Sequence, residues 1–288
     1  MIARVVLVVL VLLCQLSIAN EALGQKLKAE EIIAKHLEAL GGAETLQSVT
    51  SRIAGGSVIA TFRNPATAQL SGRAALASDG PKNVMAMIFE NQPNYPQEKI
   101  GFDGHDVSGS YVRPGIRSSL GDFLLAHRMI IKTGIWGGSL SQAWPLLDLT
   151  KSKMKVEAGG TKKIGDRLTQ QLKLYPSGTD LKITVFFDAE TFQHVRTEYT
   201  RQIAAQMGSN PETSATQGQT TNYKLVEDFS DFKKEGGLTL PHSYKISLEI
   251  GGRQGTFIAD WAMTLSDFQF NQRIDPSLFD VDDVKPKG

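Results

Sequence analysis

The segment LTLPHSYKISLEIGG, residues 238–252, alternates between two kinds of side chain along its whole length. Every second position from Leu238 to Ile250 is apolar or aromatic, apart from His242. Serine, lysine and glutamate fill the gaps from Ser243 onward. Because successive side chains of a β-strand point to opposite faces, this pattern predicts a long strand in a sheet with one buried and one solvated face.

Comparable short segments recur through most of the chain. They are rich in Val, Ile, Phe, Met and Ala and are separated by turn signals such as NPAT, SDGPKN and DGHD. In the last segment the apolar positions change from odd numbers to even numbers, which predicts a β-bulge near Ser266. The predicted strands lie near residues 50–62, 67–78, 82–90, 97–102, 106–112, 152–158, 164–175, 181–187, 192–204, 221–233, 238–250 and 255–270.

Two regions show helical spacing instead. AEEIIAKHLEALGG, residues 29–42, places Ile32, His36 and Leu40 on one side and ends in two glycines, which predicts an amphipathic helix. Residues 118–149, called here the helical insertion, carry an apolar stripe from Leu120 to Ile131 and then a Gly-rich stretch with two tryptophans. The polar residues 208–219 predict a loop.

About eleven strands with two or three helices predict a mainly β (α+β) fold. A two-sheet sandwich and one curved sheet can each bury one face of so many strands. The amphipathic helices favour the second, because a curved sheet needs a cover on its open side. We therefore expect an unclosed antiparallel β-barrel with an N-terminal helix, covered by the helical insertion as a lid.

The first 24 residues have the features of a secretory signal peptide. A short basic start is followed by the apolar run Val5–Leu13 and then by small residues, so cleavage after Ala19 or Gly24 is expected, with Gly24 preferred. The run is too short for the alternative of a spanning anchor. Lipidation of Cys14 is disfavoured because Leu13 stands where a small residue is expected. Residues 25–288 are then predicted to form a single domain without cysteine.

Composition and motifs exclude several function classes. A net charge of +1 and the absence of a basic stripe argue against nucleic-acid binding, and no later apolar run is long enough for an integral membrane protein. No GxSxG, HExxH, P-loop or GxGxxG pattern is present, so we predict no enzymatic activity, metal or cofactor. The histidines have structural interpretations: His36 and His127 on apolar stripes, His242 in the ladder, His105 in a turn and His194 on a strand surface.

Several segments together carry a family resemblance. AEEIIAKHLEALGG, VTSRIAGGSV, GFDGHDV, DFSDFKKEGGLTLPHSYKI and FQFNQRIDPSLFDV occur in an order that resembles the periplasmic proteins of the outer-membrane lipoprotein-sorting (LolA-like) superfamily. The resemblance spans nearly the whole mature chain. It implies an unclosed barrel around a helix, further helices as a lid, and an interior that holds acyl chains in the periplasm of a Gram-negative bacterium. Arg52 and Arg63 are both candidates for the family's lid arginine.

The resulting prediction is a secreted protein that binds a hydrophobic small molecule or a lipoprotein acyl chain and catalyses no reaction. The first alternative is a non-enzymatic module with a filled core that presents its outer face or a sheet edge to a cell-envelope protein partner. A third and less favoured alternative is an enzyme, which would need convergent polar groups in the cavity. An open cavity favours the first function, and a packed interior with an exposed apolar patch favours the second. Trp136 and Trp144 either anchor the insertion or meet the ligand. The predicted ligand-binding residues are Phe123, Leu124, Trp136, Trp144, Tyr244, Ile246, Phe257, Trp261 and Met263.

Overall fold

A computed structural model describes residues 27–203, 221–252 and 255–281. Within these residues twelve strands form one antiparallel sheet in the order β5-β4-β3-β2-β1-β12-β11-β10-β9-β8-β7-β6. The strands at the two ends of this order, β5 and β6, do not pair with each other, so the sheet is not closed. The strands are β1 Ser51–Asn64, β2 Ala68–Asp79, β3 Lys82–Ile88, β4 Gln97–Phe102, β5 Val107–Gly109, β6 Lys155–Ile164, β7 Arg167–Tyr175, β8 Lys182–Asp188, β9 His194–Ile203, β10 Thr221–Glu235, β11 Leu238–Gly252 and β12 Gly255–Phe270.

The predicted fold class, a mainly β protein with an open antiparallel sheet, is confirmed. The strand boundaries differ most at β6, because the turn lies at Gly165 (φ +58°) rather than near residue 160. The predicted loop at 208–219 and the predicted signal peptide at 1–24 lie outside the described residues.

Helices occur at the start of the described chain and between β5 and β6. The predicted N-terminal helix is present as α1, and α2 follows it directly. The single apolar stripe predicted from Leu120 to Ile131 divides into two short helices at His127 (φ −112°, ψ 34°). The helices are α1 Ala29–Leu40, α2 Gly42–Ser48, α3 Ser119–Ala126, α4 Met129–Lys132 and α5 Leu149–Ser152, with 3₁₀ turns at Gly138–Leu140, Pro145–Leu147 and Pro276–Phe279.

The predicted ladder and bulge are both found. On β11 the side chains of Tyr244, Ile246 and Leu248 are buried, whereas those between them are not. Opposite β12, Gly55 pairs with Asp267 and Gly56 pairs with Leu265, so Ser266 is the extra, unpaired residue of the bulge. A Cβ atom at Gly56 would lie 1.9 Å from the carbonyl oxygen of Thr264, so this close strand approach requires glycine.

One face of the sheet, called here the inner face, packs against α1 and the helical insertion in one large hydrophobic core. The insertion bonds to strands far apart in the sheet. Asn83 on β3 donates to the Ile131 carbonyl at 3.2 Å, and Glu227 on β10 accepts from Gly137. A flat sheet with neighbouring strands about 4.8 Å apart would not bring β3 and β10 to one short segment, so the sheet curves around it.

Candidate functional site

The interface between the inner face and the helical insertion contains nearly all of the predicted ligand-binding residues. Eight of the nine are only 0–4% exposed and belong to the same core. The ninth, Phe257, is partly buried against that core. The structure thus brings the set together, although contact with a ligand stays a prediction.

The interior is filled by the protein's own side chains. Trp144 and Trp261 are 1% and 0% exposed, and the insertion residues Leu120, Leu124 and Ile130 are all 0% exposed. A void large enough for water would expose the residues that line it, so these side chains pack against one another. The expected open hollow is therefore absent from the described part of the chain in this conformation.

Several polar contacts hold the insertion, and three of them are made by buried ionisable side chains of the sheet. The first is Arg52 on β1, which is buried and donates from Nη1 to the Ser139 carbonyl at 2.7 Å. Arg63, the other candidate for the lid arginine, is half-exposed and pairs with Asp260. Of the two, only Arg52 bonds to the insertion.

The second contact is centred on Glu227, a buried carboxyl group on β10. It accepts from the Gly137 backbone N–H at 2.8 Å and from the hydroxyls of Tyr199 and Tyr244, each at 2.5 Å. Burial raises the pKa of Glu227 to about 7, against the opposing effect of these three donors. This carboxyl therefore holds its proton close to neutral pH.

The third contact is centred on Glu98, a buried carboxylate on β4. It accepts from Tyr95 at 2.6 Å and from the hydroxyl of Ser118, the N-cap residue of α3. The Ser118 oxygen in turn accepts from the Gly121 N–H at 2.8 Å. Burial raises the pKa of Glu98 to about 7 as well. The strands β10 and β4 thus each present one buried carboxyl group to the insertion.

A group of aromatic rings fixes the second half of the insertion. His36 Nδ1 donates to the Phe192 carbonyl at 3.0 Å, so its Nε2 accepts the Trp144 indole N–H at 3.2 Å. Burial lowers the pKa of His36 to about 4. Trp144 stacks on His194 with ring centroids 5.0 Å apart. The structural interpretation of His36 therefore fits its contacts.

The expectation that His194 lies on a strand surface is wrong. It is 1% exposed, because a register shift between Phe186 and Phe187 on β8 makes Phe187 the partner of His194 and turns its ring into the core. His242 is buried as well, and it contacts Glu235 at 3.2 Å and the ring of Phe268.

Buried polar atoms without a hydrogen-bond partner concentrate at this interface. Eight such side-chain atoms occur in the described residues. Two of them take part in ion pairs, His242 with Glu235 and Asp260 with Arg63. The remaining six belong to the insertion or to side chains that touch it. They are Arg52 Nε and Nη2, Trp136 Nε1, Ser139 Oγ, Gln142 Oε1 and His194 Nδ1.

A solvent-open groove of about 690 Å³ runs along the outer side of this interface. Trp144, Pro145 and Leu147 of the insertion form one wall, and Val49 and Pro81 at the end of the sheet belong to the other. Its volume is within the range of small-molecule sites. Of the predicted ligand-binding residues, Trp144 alone lines it.

The buried carboxyl groups were missed in the sequence, although the pattern contained the signal. Glu227 alternates with Leu225 and Phe229, which are buried, and Glu98 alternates with Ile100. Period-two spacing therefore places both glutamates on the inner face.

Comparison with known proteins gives structural matches only. No protein-family model matches the chain, and no curated protein matches its sequence. The chain is similar in structure to a LolA superfamily protein from Nitrosomonas europaea, with 15% identity, a TM-score of 0.47, and coverage of 88% of this chain and 97% of that one.

Two further solved structures are similar. A DUF1329 family protein from Desulfovibrio piger has 10% identity and a TM-score of 0.45, over 88% of this chain and 97% of that one. A putative outer membrane lipoprotein-sorting protein domain from Vibrio parahaemolyticus has 11% identity and a TM-score of 0.43, over 86% and 94%. None of the described helices is long and apolar enough to span a membrane.

Proposed function

We propose that this protein is a periplasmic carrier of a Gram-negative bacterium that holds the acyl chain of a lipid or lipoprotein between the inner face and the helical insertion. Residues 1–24 direct export, and residues 25–288 form one half-barrel domain. The insertion acts as a lid that leaves the inner face to admit the ligand. The motif resemblance and the contacts of the insertion support this function.

One observation carries the proposal: the six unpartnered polar atoms at the contact between insertion and sheet. A buried polar group without a partner costs about 1–3 kcal/mol relative to its hydrated state. Moving the insertion into water hydrates the three of these atoms that it carries, on Trp136, Ser139 and Gln142, so its docking is less stable than that of an apolar segment of the same size. This lowers the free energy that opening of the insertion requires.

An acyl chain supplies the energy that opening requires. The side chains that leave the inner face with the insertion are apolar, among them Leu124, Ile130 and Trp144. Each methylene of a tail that takes their place on the sheet contributes about 0.8 kcal/mol. A long tail therefore compensates for the apolar contacts that are lost.

The filled interior favours a second candidate, the non-enzymatic interaction module with a cell-envelope protein partner. Eight predicted ligand-binding residues already pack at 0–4% exposure without a ligand. A module of this kind keeps the insertion in place at all times. The two functions differ in whether the insertion must move.

A reversible lock on the insertion tests this difference. Ser78 Oγ on β2 lies 2.8 Å from the backbone nitrogen of Gln142 in the insertion. Standard bond geometry then places the two Cα atoms within about 7 Å, near the upper end of the range for disulfides. The variant Ser78→Cys/Gln142→Cys in a Cys14→Ser background carries this pair without any other cysteine.

For a carrier, the reduced variant binds a fluorescent long-chain fatty acid and the oxidised variant does not. Each protein is its own control, because reduction restores the unlocked state without any sequence change. Equal uptake in both states contradicts a moving lid. No uptake in either state, together with a ligand-free mass by native mass spectrometry of the wild-type protein from its own envelope, favours the interaction module.

A further inference from the structure

Arg52 presents two unpartnered N–H groups on one edge of its buried guanidinium. The side chain is 3% exposed, and Nη1 donates to the Ser139 carbonyl. Nε and Nη2 have no hydrogen-bond partner among the described residues. The Nε and Nη2 groups form the side of an arginine that binds a carboxylate or phosphate through two parallel hydrogen bonds.

Arg52 also has no counter-ion in the described part of the chain. Among the described residues, Arg63 forms an ion pair with Asp260 on the outer face, whereas Arg52 forms no ion pair. The buried carboxyl groups of Glu98 and Glu227 accept hydrogen bonds from other donors. Burial lowers the pKa of Arg52 to about 10, so its charge is retained at neutral pH. A buried cation without an anion is costly, and an anionic ligand removes that cost.

The neighbours of Arg52 suit an anion. Ser139, whose carbonyl accepts from Nη1, also has a buried hydroxyl without a partner. Ser78 lies directly opposite Arg52 on β2, and its oxygen already accepts from the Gln142 N–H. Since the contact to Ser139 uses Nη1 alone, Nε and Nη2 are available to an anion once the insertion leaves the inner face.

We propose that the Nε and Nη2 edge of Arg52 binds the oxyanion head of an anionic amphiphile, a carboxylate or a phosphate monoester, whose tail lies along the inner face. This inference rests on the proposed carrier function and names its ligand class. Neutral lipids with the same tail lack the head that Arg52 requires. Arg52 therefore selects ligands as well as contacting the insertion.

The test is displacement of a bound fluorescent fatty acid by three competitors with the same chain length: a fatty acid, an alkyl phosphate and a fatty alcohol. We expect wild-type protein to bind at least one of the two anions about tenfold or more tightly than the alcohol. The order of the two anions identifies the head group. Arg52→Gln removes the preference, Arg52→Lys weakens it, and Arg63→Gln, on the same strand but outside the core, preserves it.

Equal binding of anions and alcohol by the wild-type protein overturns the anion site and leaves the carrier function standing. A preference that persists in Arg52→Gln also overturns it. If none of the competitors binds to the wild-type protein, the carrier function itself fails and the site with it. The ratio of the affinities of the wild-type protein for the anions and for the alcohol needs no variant. The test therefore holds even if Arg52→Gln does not fold.

Discussion

The carboxylate of Glu227 on β10 accepts a hydrogen bond from the backbone N–H of Gly137 in the helical insertion, at 2.8 Å. This bond crosses from the sheet to the segment that must move in a carrier. Because burial raises the pKa of Glu227 to about 7, the energy of the interface depends on pH.

The first prediction concerns Glu227→Gln. From about pH 4.5 to 7 the folded wild type keeps a proton that the unfolded chain releases, so its free energy of unfolding falls as pH rises. Glutamine has no such ionisation. The stability of Glu227→Gln relative to wild type should therefore increase between pH 5 and pH 8, by on the order of 3 kcal/mol.

Chemical denaturation of both proteins at several pH values measures this difference. Histidines such as His36, whose low pKa opposes folding in acid, titrate in both proteins and cancel in the comparison. A difference that stays constant with pH contradicts the role of Glu227.

The second prediction concerns Ser118, which caps α3 and donates to Glu98. Ser118→Ala removes the cap and one donor to a buried carboxyl, which should cost about 1–2 kcal/mol and lower Tm by about 2–8 °C. Ser119→Ala, one residue inside the helix, is the matched control and should change Tm by about 2 °C or less. Ser118→Thr should restore most of the loss. Equal effects of the two alanine variants would show that the cap does not hold the insertion.

The third prediction compares two glycines with nearly the same positive φ. Gly138 (φ +50°) and Gly80 (φ +54°) both disfavour alanine, by about 1 kcal/mol. At Gly138 a Cβ atom would also lie 2.4 Å from His194 Cε1, whereas nothing lies within 4 Å of the position at Gly80. Gly138→Ala should therefore lose about 1–3 kcal/mol more stability than Gly80→Ala, as measured by denaturation. Similar losses would mean that the insertion adjusts freely around His194.

The sequence was informative where a pattern is local. Alternation along β11 predicted its buried face, and the change of parity before Phe268 located the bulge at Ser266. The same logic fails at His194, because the register shift at Phe186 is set by pairing with another strand and leaves no mark in the local sequence.

The state of the interior depends on contacts between distant residues. Whether Leu124 and Trp144 fill the space along the sheet or surround a hollow is decided by where the insertion docks. For Arg52, too, the local sequence predicts the face but not the partner. Its position on the inner face follows from alternation with Ala54, but its bond to Ser139 joins residues 87 positions apart. Composition and spacing do not specify such a pairing.

The last prediction separates the two tryptophans of the insertion. Both are buried, at 3% for Trp136 and 1% for Trp144, so replacement by phenylalanine removes a similar volume from each site. The indole N–H of Trp144 donates to His36, whereas that of Trp136 has no partner among the described residues. Trp144→Phe leaves His36 Nε2 buried without a donor, while Trp136→Phe removes a buried donor that was already unsatisfied. Trp144→Phe should therefore be less stable than Trp136→Phe by about 1–3 kcal/mol in denaturant unfolding. Equal losses would indicate that packing alone, and not the bond to His36, fixes this part of the insertion.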